Sequence, residues 1–161
     1  MPRDIVIRPF DRIAEYRACE DLQQSVWQFP DREIVPLNEL MGVKRSHGLV
    51  IGAFLGKRLV GFLFGLHGVH PHGVRHAGGR IFHVSRMLAV ARDFQSLSIG
   101  FHLKCAQREW CLAEGIGRAC WTFDPLQAGN AHFNIAKLGV TCGTYLVDVY
   151  GRSSSVLNRG M

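Results

Sequence analysis

Between Ile81 and Ala113 the hydrophobic pattern changes period once, and that switch limits what the rest of the chain can build. Ile81 to Val90 is dense in β-branched and large apolar residues, the composition of a strand. Further on, Phe101, Leu103, Ala106, Trp110 and Ala113 recur at steps of two to four residues and predict one stripe of an amphipathic helix. Between the two, Gln95-Ser96-Leu97-Ser98-Ile99-Gly100 follows neither period. A small polar turn that opens a helix directs several backbone N–H groups outward at the positive end of the helix dipole, which suits a phosphate. The same stretch also reads as an ordinary βα loop, because short glycine patterns are common.

The elements around this switch alternate. Ile5 to Phe10 predicts a short strand ended at Pro9, and Ile13 to Phe29 a helix with Asp11 as its N-cap. Pro30 and Pro36 predict a loop. Gly48–Leu55 and Arg58–Gly68 are two apolar runs joined at Gly56-Lys57, a hairpin signal. A loop from about His70 to Arg80 leads into the Ile81 strand, and glycines at 115 and 117 close the helix after it. Ala119–Phe123 predicts a strand, Gly129–Leu138 a helix stopped by Gly139, and Thr144–Tyr150 a last strand. The expected fold class is α/β: one domain over residues 1–161, with a central mixed sheet flanked by helices on both faces.

The strand–turn–helix segment resembles the acetyl-CoA-binding motif of the GNAT superfamily of N-acetyltransferases, Arg/Gln-x-x-Gly-x-Gly/Ala after a strand, here carried by Gln95, Ser98 and Gly100. Val90, five residues before Gln95, fits the family spacing, and the order of elements agrees over residues 3–150. Asn130-Ala-His-Phe-Asn-Ile-Ala-Lys-Leu-Gly139 is similar to a second family signature. The resemblance implies acetyl-CoA as acyl donor and an amine, small molecule or peptide, as acceptor. It implies a pyrophosphate cradle of Gln95, Ser96, Leu97, Ser98, Ile99, Gly100 and Phe101. It also implies backbone contacts from Leu88, Ala89 and Val90 to the pantetheine arm, and a cofactor contact from Asn130. Two positions depart from the pattern. Ser98 replaces the first motif glycine; serine keeps the N–H but takes a positive φ less cheaply. Ile135 stands where many members carry a tyrosine that protonates the leaving thiolate, and Tyr145 is a nearby tyrosine on the last expected strand.

Acetyl transfer to an amine requires a deprotonated amine, a polarised thioester carbonyl and a proton for the thiolate. The resemblance implies that a backbone N–H at a bulge in the motif strand, near Leu88 or Ala89, polarises the carbonyl. His83 and Ser85 share one face of that strand by alternation, and His83 titrates near the working pH, so these two are candidate catalytic groups. Asp124 is a third candidate, and Asp124-Pro125 equally suits a plain turn. Two other readings stay open: a non-catalytic acyl-CoA-binding or regulatory module, which Ser98 and Ile135 favour, and a nucleic-acid-binding domain.

The formal net charge of +6 is what raises the last reading. The basic residues are scattered and not interleaved with aromatics, which argues against nucleic acid. Arg92, Lys104 and Arg108 lie near the cradle in sequence, where a basic surface would steer an anionic cofactor; singly they read as solvated charges. His67, His70, His72, His76 and His83 cluster without a cysteine or carboxylate among them, so no metal site is expected; with Arg75 they are placed to meet an acceptor. No apolar run is long enough to span a membrane. Five widely spaced cysteines, Cys19, Cys105, Cys111, Cys120 and Cys142, point to a reducing, cytoplasmic setting. Residues after Tyr150 show no strand pattern, which predicts a missing final strand and either a homodimer across the exposed sheet edge or a chain that has been cut short.

Overall fold

A computed structural model describes residues 2–71, 79–147 and 149. The chain forms two compact units, residues 1–121 and 122–161. The first is built on a five-stranded sheet of order β1-β2-β3-β4-β5: β1 (Ile5–Pro9), β2 (Leu49–Leu55), β3 (Arg58–Val69), β4 (Ile81–Val90) and β5 (Ala119–Cys120). β1 to β4 are antiparallel, whereas β5 joins β4 in parallel. The helices are α1 (Ile13–Trp27), α2 (Leu37–Arg45) and α3 (Ile99–Ala113).

Strict alternation in β2 feeds two cores. Val50 and Phe54 join Phe10, Tyr16, Leu22, Leu40 and Phe62 on the α1/α2 face. Leu49, Ile51 and Ala53 join Leu63, Ile99 and Leu103 on the α3 face. The hairpin forms at Gly56, whose φ of +59° is one that glycine adopts without Cβ strain.

Several local expectations change. The α1 N-terminus is held by Glu15, not Asp11: its carboxylate accepts from the Asp11 and Arg12 N–H groups at 2.7 and 3.3 Å and pairs with Arg8 at 2.6 Å. That pairing keeps the Glu15 carboxyl down at about 2, through its hydrogen bond to Arg8 above all. The helix stops at Trp27, because Gln28 turns left-handed and the residue before Pro30 is disfavoured in a helix. The stretch expected as a loop after Pro36 holds α2. Pro36 precedes the helix, where a missing N–H costs nothing, and Glu20 accepts from the Leu37 N–H at 2.7 Å.

The second unit begins with a turn in which Asp124 Oδ1 accepts from the Leu126 N–H at 2.9 Å. α4 (Ala128–His132) runs into a π-helical turn over Phe133–Lys137 rather than continuing as α-helix to Leu138. Asn134 Nδ2 donates to the Asn130 carbonyl at 2.8 Å, and the Leu138 N–H reaches Phe133 O, five residues back, at 3.0 Å. Gly139, φ +66°, ends the helix as expected. The strand expected over Thr144–Tyr150 is absent from its described residues, 144–147 and 149. Tyr145, Leu146, Val147 and Val149 are exposed, so no sheet face is buried there to hold an extended run.

Candidate functional site

The site grows from a disturbance in β4. Gly65 pairs with Ser85 and Phe64 with Met87, so Arg86 is an extra residue on β4. The bulge therefore lies at Arg86, not near Leu88 or Ala89 as expected. It inverts the side-chain parity. His83 and Ser85 point to the α3 side before it, and Leu88 and Val90 do so after it, while Ala89 and Ala91 join the α1/α2 core.

The bulge also separates β4 from β5. The two strands pair only at His83–Ala119 and Val84–Cys120, with the His83 N–H donating to the Arg118 carbonyl at 2.8 Å. β5 therefore spans two residues rather than Ala119–Phe123. From Ser85 to Val90 no described strand continues the ladder on that side, and an extended ligand can add to this edge by backbone hydrogen bonds.

At the end of β4, Gln95 Nε2 donates to the Val90 carbonyl at 3.3 Å, and Arg58 fixes the turn through Asp93 at 2.7 Å and the face of Phe94. Ser96 and Ser98 both take positive φ, +65° and +61°. Ser98 thus adopts the glycine-like conformation of the motif despite its Cβ. It is the N-cap of α3, its side chain makes no capping hydrogen bond, and the first turn of the helix contains no acidic residue. The N–H groups opening α3 at Ile99, Gly100 and Phe101 are therefore available to an anion. Gln95, Ser96, Leu97 and Ser98 are exposed and Gly100 and Phe101 half-buried, while the Ile99 side chain is buried in the core, leaving only its backbone for a ligand.

Behind the bulge lies a polar cluster in the α3 interface. The buried helix stripe is Ile99, Leu103, Lys104, Gln107 and Cys111; Ala113 is exposed, so the stripe is rotated from the expected one and carries two polar groups inward. Lys104 is not a surface charge near the cradle. Its Nζ donates to Ser85 Oγ at 2.9 Å and Gln107 Oε1 at 3.1 Å and lies 3.6 Å from the Trp121 ring centroid. Gln107 Nε2 in turn donates to His83 Nε2 at 2.8 Å. This chain sets the histidine tautomer, with the proton on Nδ1. His67 Nε2 donates to the His47 carbonyl at 2.8 Å, leaving its Nδ1 bare. The His67 and His83 Nδ1 atoms are both buried without a protein partner, one a donor and one an acceptor, with the rings 6.2 Å apart and Trp110 packed on both.

Burial sets the charges. It lowers His83 to about 4, with help from His67 and Lys104, and lowers Lys104 to about 7. His83 is therefore neutral at pH 7 and fully enclosed, unlike an exposed general base. Among the candidates, the structure joins His83 and Ser85 through Gln107 and Lys104; Asp124 and Asn130 belong to the second unit. In that unit Asn130 Oδ1 accepts from Asn134 Nδ2 at 2.9 Å, and Ile135 is exposed. His72, Arg75 and His76 lie outside the described residues, and among the described residues no three metal-ligating side chains converge. Gln107 and Trp121 are additions that sequence reasoning missed, while Lys104, expected as a cofactor-steering surface charge, and His67, expected to meet an acceptor, take part in this buried cluster. Their signal was there: Lys104 and Gln107 interrupt an apolar stripe at helical spacing.

No protein-family model matches the chain, and no curated protein matches it. Solved structures do. An aminoglycoside acetyltransferase from an uncultured soil metagenomic sample superposes with a TM-score of 0.73 at 17% identity, covering 92% of this chain and 95% of that one. The chain has the fold of that acetyltransferase. An aminoglycoside N-acetyltransferase solved with CoA gives 0.71 at 14% identity, covering 93% and 95%. An acetyltransferase of Trypanosoma brucei gives 0.68 at 13%, covering 89% and 97%.

Proposed function

We propose that this chain is an N-acyltransferase that moves an acetyl group from acetyl-CoA to an amine. The observation that carries the reading is the succession of two hydrogen-bonding surfaces: the β4 edge from Ser85 to Val90, along which no strand among the described residues pairs, and the first turn of α3 just beyond it, which no side chain caps. An anionic diphosphate suits the N–H groups at Ile99, Gly100 and Phe101, within the turn Gln95–Ser98. A flexible amide-bearing arm suits the backbone of Leu88, Ala89 and Val90. Acetyl-CoA contains both, and bound there it would supply the activated acyl group. GNAT-fold neighbours act on aminoglycosides, and one of them is solved with CoA, which supports this donor and a small-molecule amine as acceptor.

Residues 1–161 are read as one acyltransferase domain, with Asn130 a further cofactor contact and Asp124 a further catalytic candidate. Five free cysteines support a cytoplasmic location. Among the described residues no helix is long and apolar enough to cross a membrane. Dimerisation across the exposed sheet edge is part of the same reading, and light scattering that returns only monomer removes it.

Calorimetric titration with acetyl-CoA tests the reading. The wild type should bind, and Gly100→Glu, which sets a carboxylate against the phosphates, should weaken binding by the order of 100-fold or more. Turnover should then appear with a panel of primary amines that includes an aminoglycoside. A wild type that does not bind acetyl-CoA overturns the proposal; binding without turnover on any amine returns the chain to a non-catalytic module.

A further inference from the structure

Lys104 is a buried lysine held by neutral groups alone. Its side chain is 8% exposed, its ammonium reaches Ser85, Gln107 and the Trp121 ring, and none of the ion pairs found among the described residues involves it. Filling this place for stability alone would be done better by a methionine, because a buried charge without a counter-charge is costly. An enclosed titratable group with perturbed proton affinity marks a functional position when its surroundings offer a reaction to serve.

The surroundings do. Ser85 is the first β4 residue past the last β4–β5 pair, and the bulge at Arg86 follows it. From Val90 back to Ser85 the open edge spans five residue steps, about 16 Å, close to the length of an extended pantetheine arm. A donor with its phosphates on the first turn of α3 and its arm along that edge would bring the thioester alongside Ser85, whose hydroxyl, 7% exposed, lies between that edge and Lys104.

Resting on the acyltransferase reading, we propose that Ser85 and Lys104 form the proton relay of the transfer, with Ser85 as the catalytic residue touching the reacting groups and Lys104 as the positioning residue that holds the proton behind it. As the acceptor nitrogen attacks, its proton passes to Ser85 Oγ while Ser85 gives its own to the neutral Lys104 amine. The N–C bond forms and the C–S bond breaks. Lys104 then returns the proton through Ser85 to the departing thiolate, leaving an amide, a thiol and a neutral lysine. Such a relay provides the leaving-group proton that Ile135 has no hydroxyl to give.

The groups facing Lys104 leave it free to titrate alone. His83, from β4, is neutral above about 4, with His67 of β3 behind it. Cys111, from α3, is raised by burial to about 11. Lys104 itself, brought to about 7, offers its neutral form at physiological pH.

The test is lysine-selective NMR on the full chain, free and saturated with CoA, beside transfer kinetics on the best amine of the panel. The Lys104 signal should titrate near pH 7 and shift when CoA binds. The wild-type kcat/KM should rise with pH through about 7. Lys104→Met should bind acetyl-CoA as the wild type does and melt no lower. It should lose about 100- to 1,000-fold in kcat, together with the rise near pH 7. Ser85→Ala should lose a similar factor. A Lys104 signal that titrates as an ordinary surface lysine, or that ignores CoA, overturns the relay, and so do variants that keep both rate and pH profile. A wild type that neither binds acetyl-CoA nor acetylates an amine fells the acyltransferase reading itself. A transferring wild type with unaffected variants fells only the relay.

Discussion

The two faces of the sheet each bury a polar side chain, and they treat it in opposite ways. On the α1/α2 face Gln23 is fully enclosed, and both ends of its amide are answered by one residue: Nε2 donates to the Val35 carbonyl at 3.0 Å and Oε1 accepts the Val35 N–H at 2.8 Å. It staples α1 to the segment leading into α2, amid aromatic contacts such as Phe10–Tyr16 and Trp27–Phe62. On the α3 face the Lys104 amine has only uncharged partners, and the His83 and His67 Nδ1 atoms remain unanswered. A satisfied buried polar group is architecture. An unsatisfied one lowers stability and is worth having only where chemistry uses it.

The contrast can be broken by substitution. Gln23→Leu leaves the Val35 N–H and C=O enclosed without a partner and should cost about 2–4 kcal/mol by denaturant unfolding. A loss under about 1 kcal/mol would mean the staple is solvated. Gly65→Ala addresses the other face, because a Cβ there collides with the His83 ring and the Val84 carbonyl. It should cost about 1–3 kcal/mol and disturb the Lys104 NMR signal, while Gln23→Leu leaves that signal in place.

Lys104→Met should act in the opposite sense and raise stability by about 1 kcal/mol. The pH dependence sharpens this. His83 and Lys104 both hold protons less tightly folded than unfolded, so the unfolded chain binds more protons and stability rises with pH. The windows are about 4 to 6.5 for His83 and about 7 to 10.5 for Lys104. Melting temperatures across pH should climb through both windows, and Lys104→Met should flatten only the upper one. The smallest effect is expected at Glu15, a carboxylate whose folded affinity for a proton is depressed. Its contribution is present above about 4.5 and fades as pH falls toward 2. Glu15→Gln should cost up to about 1 kcal/mol at neutral pH, converging with the wild type in acid.

Much of this was legible in the chain. Continuous apolar and β-branched runs placed β2, β3, β4 and the hairpin between β2 and β3 to within a residue, because a strand buried on both faces is apolar along its length. The turn from Gln95 to Gly100 was legible too, through its lack of period. Elements whose existence depends on a partner were not. α2 hid behind Pro36, β5 shrank because β4 turns away from it, and the Thr144 strand found no buried face in its described residues.

By itself, then, the sequence determined where β1 to β4 lie, the hairpin turn at Gly56-Lys57 and the aperiodic turn between β4 and α3, all of which follow from local composition and chain geometry. Only the tertiary structure decided that Arg86 is the bulge, that Ser98 turns left-handed in place of a glycine, and that Lys104 faces inward on Ser85 and Gln107. The reason is physical. Whether a lysine is a solvated surface charge or a buried proton store depends on which groups the neighbouring strands bring around it, and no spacing along one helix encodes that.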